Sequence, residues 1–323
     1  MCTAISFTTK DHYFGRNLDL EYNYNESVTV TPKLYSFPFR HEDNIAKHYA
    51  FIGMATVEQD YPLYYEATNE KGLSIAGLNF PGNAVYNQPK IGFSNIAPFE
   101  LIPWVLCQCA NISEARKVLE KTNIISTEFS GKYPLTPLHW MISDNKESLV
   151  AEPVDSRLRI YKNPVGVLTN NPPFDFHMYN LSNYLNLTRE EPNNRLCNEL
   201  DLRPYSRGMG SIGLPGDLSS ASRFVRAAFV KLNSVCDTSE ASSISQFFHI
   251  LSSVEQQRGC VLVGDKYEKT VYSSCCNTRS GIYYYTTYEN SQITAVNMHH
   301  TELDSQKLSV FPLNIEPQIQ FQN

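Results

Sequence analysis

The sequence predicts an α+β protein in which helices cover antiparallel β-sheets. Short strand-like runs dominate both ends of the chain, and most helical patterns lie between them. The 20 Tyr and 17 Phe residues favour a β-rich structure. No internal repeat, low-complexity segment or linker interrupts the 323 residues, so we expect a single domain over residues 1–323.

The strand predictions begin with a hairpin formed by residues 3–8 and 13–18, which flank Lys10 and Asp11. A second pair of strands surrounds the turn sequence Asn69-Glu70-Lys71-Gly72. The other predicted strands follow the same alternating or β-branched patterns. Outside the first hairpin, the predicted strands are 27–32, 49–56, 63–68, 73–79, 138–142, 148–152, 158–161, 166–168, 261–264, 270–275, 282–288 and 292–297.

Helical patterns occupy the middle of the chain and a region before its last strands. They cover residues 99–107, 113–121 with Ser113 as N-cap, 174–185, 220–232 and 243–254. Residues 208–213 match the GxGxxG dinucleotide fingerprint by letter. The fingerprint requires a helix to open at its end, whereas Leu214-Pro215-Gly216 follows here, so we expect no nucleotide site.

Composition excludes several classes of partner. The chain carries 27 basic and 33 acidic side chains and has no basic stripe, so we expect no binding to nucleic acid. The N-terminus lacks the basic and apolar regions of a signal peptide, and no run reaches 18 apolar residues. We therefore expect a cytoplasmic protein with no membrane partner, whose eight cysteines are reduced and form no zinc pattern.

Cys2 is the first candidate for chemistry. Methionine is usually removed when the next side chain is small, and its removal would place a thiol and a free α-amine on one residue. The reference pKa of an α-amine is about 7.7–8.0, so the amine can act as a base near neutrality. This combination is typical of N-terminal nucleophiles. The alternative is that Cys2 is an ordinary buried residue.

The first hairpin suggests which residues face Cys2. If the hairpin turns at Lys10-Asp11, the residue numbers of each cross-strand pair add up to 21. This register places Asp19 opposite Cys2 on the same face of the sheet. A carboxylate there could hold the α-ammonium group. The same register turns Arg16 to the other face, so only a bulge or a strong twist would bring it close.

Five sequence motifs, in order, resemble the choloylglycine hydrolase family of the N-terminal nucleophile superfamily, and within it most closely the bile salt hydrolases of Gram-positive gut bacteria. The similarity extends from Cys2 to about Met298. The motifs are Met1-Cys2-Thr3; Phe14-Gly15-Arg16-Asn17-Leu18-Asp19; Asn69-Glu70-Lys71-Gly72 with Ala76-Gly77-Leu78-Asn79-Phe80-Pro81; Gly166-Val167-Leu168-Thr169-Asn170; and Gly213-Leu214-Pro215-Gly216-Asp217 with Ser222-Arg223-Phe224.

The resemblance implies a four-layer αββα fold with two antiparallel sheets, and a role for six residues. Cys2 would supply the attacking sulfur and the α-amine base, and Asp19 would bind that amine. Arg16 and Arg223 would place positive charge beside the thiol, which favours the thiolate. Asn79, mainly through its backbone N–H, and Asn170, through its side-chain amide, would form the oxyanion hole. Structural ion pairs for the arginines and turn-capping for the asparagines are the alternatives.

The resemblance also implies the substrate: a glycine or taurine conjugate of a bile acid, cleaved at its amide bond through a thioester. The enzyme would need no metal and no organic cofactor, and it would assemble as a homotetramer. An apolar pocket would accept the steroid, although core packing explains the same composition. The expected pocket residues are Leu18, Leu20, Tyr22, Tyr24, Tyr61, Tyr65, Phe129, Tyr133 and Leu135.

Three rival functions remain. Penicillin V acylases share this family, but they often carry an aromatic residue where this chain has Asn79, which favours bile salts here. The glutaminase half of an amidotransferase would be expected to begin Cys-Gly-Ile and to bring a synthase domain, and neither is present. A non-catalytic binding protein with this fold would be expected to lose some of the six polar residues, and all six are present.

Overall fold

Two antiparallel sheets packed face to face form the centre of the computed structural model, which describes residues 1–323, and helices cover their outer faces. The strands are β1 (Cys2–Thr8), β2 (His12–Leu20), β3 (Ser27–Thr31), β4 (Phe51–Glu58), β5 (Tyr61–Asn69), β6 (Ser74–Asn79), β7 (Ser94–Ile96), β8 (Thr122–Ile124), β9 (Leu138–Ser143), β10 (Ser148–Val154), β11 (Arg157–Lys162), β12 (Val167–Leu168), β13 (Val261–Val263), β14 (Lys266–Asn277), β15 (Ile282–Thr287), β16 (Thr294–Asn297) and β17 (Ser309–Pro312).

Five α-helices accompany the strands. They are α1 (Leu101–Gln108), α2 (Ile112–Leu119), α3 (Phe174–Asn180), α4 (Ser220–Asn233) and α5 (Glu240–Ser252). Asn111 caps α2 by accepting a hydrogen bond from the backbone N–H of Glu114, so the prediction of Ser113 as N-cap was wrong by two residues. Residues 209–211, within the GxGxxG sequence, form a single 3-10 turn that no helix continues.

The first sheet, called here the N-terminal sheet, has the strand order β12-β1-β2-β14-β15-β16, with β13 paired to β14. The second sheet has the order β11-β10-β9-β6-β5-β4-β3-β17. Apolar side chains fill the space between the sheets and the space between the N-terminal sheet and helices α4 and α5. A second core lies between the other sheet and α1 and α2. The predicted four-layer αββα architecture is therefore confirmed.

The register of the first hairpin differs from the prediction by one residue. Cys2 pairs with Leu18, Ala4 with Arg16 and Thr8 with His12. Three residues rather than two connect the strands, so the paired numbers sum to 20. A shift of one residue moves every side chain of a strand to the opposite face. Arg16 therefore shares the face of Cys2 between the two sheets, whereas Asp19 lies on the face covered by helices.

No helix is both long enough and apolar enough to cross a membrane. All eight cysteines are free thiols, and no group of three or more His, Cys, Asp or Glu side chains is arranged to hold a metal ion.

Candidate active site

Cys2 is the first residue of β1 and is only 3% exposed. Its backbone N–H donates to Asn170 Oδ1 at 2.8 Å. Its carbonyl oxygen accepts from Arg223 Nη1 at 2.6 Å, and the same nitrogen donates to the hydroxyl of Thr3 at 2.6 Å. The backbone of Cys2 is thus fixed by two side chains from distant parts of the sequence.

Met1 is present in this chain and extends the β1–β2 ladder by one residue. Its ammonium group donates to the carbonyl oxygen of Asp19 at 2.8 Å and to Glu268 Oε1 at 2.6 Å. The nitrogen of Cys2 is therefore a peptide nitrogen, whose lone pair is delocalised into the carbonyl and cannot take up a proton. Removal of Met1 is required before this nitrogen can act as a base.

Arg16 reaches from β2 into the second sheet. Its Nη1 donates to the carbonyl oxygens of Tyr65 at 3.1 Å and Gly77 at 2.5 Å, where the β5–β6 ladder has ended at the pair Glu66 and Ala76. The side chain is fully buried, and its Nη2 has no hydrogen-bond partner. Burial opposes the charge, but the neighbouring acidic side chains outweigh it and raise the pKa of Arg16.

Asp19 and Arg223 form a buried ion pair on the helix-covered face of the N-terminal sheet, with Arg223 Nη1 3.9 Å from Asp19 Oδ2. Thr270 donates its hydroxyl proton to Asp19 Oδ1 at 2.7 Å, whereas Oδ2 has no hydrogen-bond partner. Burial raises the pKa of Asp19, and the charge of Arg223 opposes that rise. A buried carboxylate oxygen without a donor is costly, by about 1–3 kcal/mol, and suits a site that binds an ammonium group.

Asn170 continues β12 past its pairing with β1 and so lies beside Cys2. Its Oδ1 also accepts from Arg223 Nη2 at 2.8 Å, and its Nδ2 donates to the carbonyl oxygen of Asn79 at 2.7 Å. An amide NH₂ carries two donors, so one N–H of Asn170 remains available for a ligand.

The backbone N–H of Asn79 points into the same region. The N–H of Phe80 donates to Pro137, towards β9. Because N–H groups alternate in direction along a strand, the N–H of Asn79 points away from β9, to the side on which Gly77 receives Arg16. The six residues predicted for catalysis thus lie in one connected cluster drawn from five separate stretches of the chain.

Sequence reasoning missed residues that hold this cluster. Ser220 accepts a hydrogen bond from the backbone N–H of Asn170 at 2.8 Å, and the Nε2 of His177 lies 3.0 Å from the Asn170 carbonyl oxygen. Glu66, a buried carboxylate, lies 3.9 Å from Arg16 Nε. Ser220 and Arg223 share the first turn of α4, so their spacing was visible in the sequence. The positions of Glu66 and His177 depend on strand and helix packing that no motif indicates.

Of the residues expected to bind substrate, only Tyr61 is a buried member of the core beneath the second sheet. The rings of Tyr22, Tyr24, Tyr133 and Phe129 follow one another with centroids 6.1–6.4 Å apart, and Tyr22 and Tyr24 are exposed. Leu135 is also exposed, Leu20 and Tyr65 are half-buried, and Leu18 is buried opposite Cys2.

Tyr61 belongs to the core beneath the second sheet, where its ring packs against Phe37, Phe99 and Phe129. Core packing therefore accounts for Tyr61. His139, expected to be a core residue, is fully buried, with Nδ1 2.9 Å from Glu152 and Nε2 2.8 Å from the carbonyl oxygen of Thr169.

Comparison with known proteins identifies the family. The family model for linear amide C–N hydrolases of the choloylglycine hydrolase family matches residues 2–311. The chain belongs to the choloylglycine hydrolase family. It is an enzyme that hydrolyses linear amide C–N bonds.

Several members of the family align over almost the whole chain. A bile salt hydrolase/transferase from Lactiplantibacillus plantarum is 54% identical over 98% of both chains. A bile salt hydrolase/transferase from Clostridium perfringens is 38% identical over 97% of both chains. The crystal structure of a mutant conjugated bile acid hydrolase from C. perfringens superimposes with a TM-score of 0.92 at 37% identity, covering all of both chains.

A more distantly related solved structure has the same fold. Penicillin V acylase from Agrobacterium tumefaciens superimposes with a TM-score of 0.75 at 18% identity, over 96% of this chain and 90% of that one. At this identity the likeness shows the fold alone. It does not decide which amide this enzyme cleaves.

Proposed function

We propose that this enzyme is a bile salt hydrolase that removes glycine or taurine from conjugated bile acids, with Cys2 as N-terminal nucleophile. One observation carries the proposal: the five motif segments meet around Cys2 in a chain that aligns over almost its whole length with relatives named for bile salt hydrolysis. The exposed rings of Tyr22 and Tyr24, with the half-buried ring of Tyr133 beside Tyr24, form an aromatic surface that suits a rigid apolar acyl group.

The first half of the reaction forms a thioester. Once Met1 is removed, the α-amine of Cys2 takes the thiol proton, and Sγ attacks the amide carbonyl carbon. The oxyanion accepts hydrogen bonds from the backbone N–H of Asn79 and the free N–H of Asn170. The C–N bond then breaks, and the leaving amine takes the proton from the α-ammonium group.

The second half returns the enzyme to its starting state. Water gives a proton to the α-amine and attacks the thioester carbon. The C–S bond breaks, the sulfur takes the proton back from the α-ammonium group, and the bile acid leaves. Asp19 Oδ2, which has no other hydrogen-bond partner, binds the ammonium form of Cys2 in both halves. Arg223 fixes the Cys2 carbonyl and the Oδ1 of Asn170, so it aligns nucleophile and oxyanion donor together.

We also propose a domain organisation, a cellular location and an oligomeric state for the enzyme. Residues 1–323 form a single catalytic domain, which acts in the cytoplasm as a homotetramer. Reduced cysteines and the resemblance to the family support this assignment.

A substrate panel tests the function. We expect a higher kcat/KM for glycine- and taurine-conjugated bile salts than for penicillin V, assayed side by side by release of the amine. The resemblance favours this ranking because the chain carries Asn79 where penicillin V acylases often carry an aromatic residue. A higher kcat/KM for penicillin V would move the enzyme to the acylase branch of the family.

A further inference from the structure

Glu66 is a fully buried carboxylate on β5 that lies directly behind Arg16. Its Oε2 accepts a hydrogen bond from the hydroxyl of Tyr272 at 2.7 Å. Its Oε1 accepts from Ser274 at 2.9 Å and from Tyr283. These three hydroxyl groups belong to β14 and β15 of the N-terminal sheet, so Glu66 connects the two sheets beneath the candidate active site.

Stability alone gives a weak reason for a charged pair at this position. Burying two charges has a large desolvation cost, which their attraction commonly only offsets, and well-packed apolar residues are often as stable. Burial raises the pKa of Glu66, and Arg16 together with the hydroxyl donors opposes that rise. The environment of Glu66 therefore includes groups that favour the carboxylate form despite its burial.

The contacts of Arg16 show how the orientation of its guanidinium group depends on its neighbours. Nε donates to the carbonyl oxygen of Asn17 at 3.4 Å and lies 3.9 Å from the Glu66 carboxylate as an ion pair. Nη1 is held by the carbonyl oxygens of Tyr65 and Gly77. Because the guanidinium group is planar and rigid, holding two nitrogens fixes the direction of the third. That third nitrogen, Nη2, is buried without a partner, and Arg16 lies on the same face of the sheet as Cys2.

We propose that Glu66 is a positioning residue for amide hydrolysis, which fixes Arg16 so that its free Nη2 faces the reacting centre at Cys2. Glu66 acts through Arg16 and does not touch the substrate. The inference rests on the proposed role of Cys2 as nucleophile.

A double-mutant cycle with Glu66→Gln and Arg16→Gln tests the proposal. Glu66→Gln keeps the size and one oxygen but removes the charge, so we expect kcat for a conjugated bile salt to fall about tenfold while KM stays within about twofold. In the Arg16→Gln background, the same change should alter kcat by less than about twofold, because the group it positions is gone. Equal losses in both backgrounds, or no loss with Arg16 present, would overturn the proposal.

Two further variants separate positioning from folding. Glu66→Asp keeps the carboxylate and should recover most of the kcat lost in Glu66→Gln. Glu100→Gln is the matched control, because Glu100 is also a fully buried carboxylate but lies beside α1, bonded to backbone N–H groups of Ala97 and Arg40. If Glu100→Gln lowers kcat as much as Glu66→Gln at equal loss of Tm, the effect is structural and the proposal is wrong.

A substrate-free readout separates this proposal from the proposed function. The rate of Cys2 alkylation by iodoacetamide depends on the surroundings of the thiol and needs no bile salt. We expect Glu66→Gln to change this rate with Arg16 present and to leave it within about twofold in the Arg16→Gln and Arg16→Lys backgrounds. Failure of the wild-type enzyme to cleave bile salts would contradict the function alone, whereas equal rate changes in all backgrounds would contradict the role of Glu66.

Discussion

At the scale of single residues, Cys2 differs from the other four buried cysteines by its surroundings. Burial raises the pKa of Cys107, Cys109, Cys275 and Cys276, which makes their thiols poor nucleophiles. Cys2 instead has Arg223 bound to its carbonyl oxygen and Arg16 on the same face of the N-terminal sheet. Its chemistry thus follows from two cations that the fold brings to the start of β1.

Alkylation should reveal this difference. We expect iodoacetamide to inactivate the enzyme with label chiefly on Cys2, since a thiolate reacts and a thiol does not. Peptide mapping after partial inactivation gives the site. Exposed Cys260 is the internal control, and label chiefly on Cys260 or Cys275 at the time activity is lost would contradict the assignment.

Removal of Met1 is the second test at this scale. A preparation that uniformly retains Met1 should be inactive, because the nitrogen of Cys2 is then a peptide nitrogen. Intact mass measured beside activity checks this. Full activity in such a preparation would rule out the α-amine as base.

At the scale of elements, hairpin and helix ends decide where the catalytic groups point. The sequence located β1, β2 and α4 to within a few residues, but a three-residue connection instead of two reversed the predicted faces of Arg16 and Asp19. A turn length cannot be read reliably from residues such as Lys10 and Asp11, which suit several turns. Asp19 instead lies on the helix-covered face, where it pairs with Arg223, whose Nη1 also binds the Cys2 carbonyl oxygen.

The N-cap of α4 should therefore matter for activity. Ser219 accepts a hydrogen bond from the backbone N–H of Ser222 and precedes the turn that carries Arg223. Ser219→Ala should lower the free energy of unfolding by about 1 kcal/mol and should lower kcat as well. Ser239→Ala removes the equivalent cap of α5 and should lower stability only. Equal kcat in the two variants would contradict a role for α4 in placing Arg223.

Buried histidines predict a loss of stability in acid. Burial lowers the pKa of His12 and of His177 from 6.5 to about 4. Between these values the unfolded chain binds protons that the folded chain excludes, so stability falls as pH drops from about 6.5 to about 4. Urea unfolding at several pH values should show this slope, and His12→Gln should reduce it by up to about 1.4 kcal/mol per pH unit. An unchanged slope would show that His12 does not contribute.

At the scale of the whole molecule, strand order could not be predicted from the sequence. β2 pairs with β14, about 250 residues away, and this pairing places Thr270 beside Asp19 and Tyr272 beside Glu66. Local patterns carry no information on such pairings. The three-residue strands β7 and β8 and the edge strand β17 were also missed, because strands this short leave little periodicity.

The two sheets share one interior, so we expect the chain to unfold as one unit. The core between the sheets draws side chains from both, from β1 to β15. Thermal unfolding followed by near-UV and far-UV circular dichroism should give coincident transitions. Two resolved transitions would contradict the proposal that residues 1–323 form a single domain.

The central claim is that the Cys2 side chain performs bile salt hydrolysis. The most direct test compares wild-type enzyme and Cys2→Ala, both confirmed by intact mass to lack Met1, in the release of glycine and taurine from conjugated bile salts. The wild type should release the amino acid, whereas Cys2→Ala should release none at an unchanged circular dichroism spectrum, because its α-amine remains but its sulfur is gone. Release by Cys2→Ala at a rate near that of the wild type would contradict the claim.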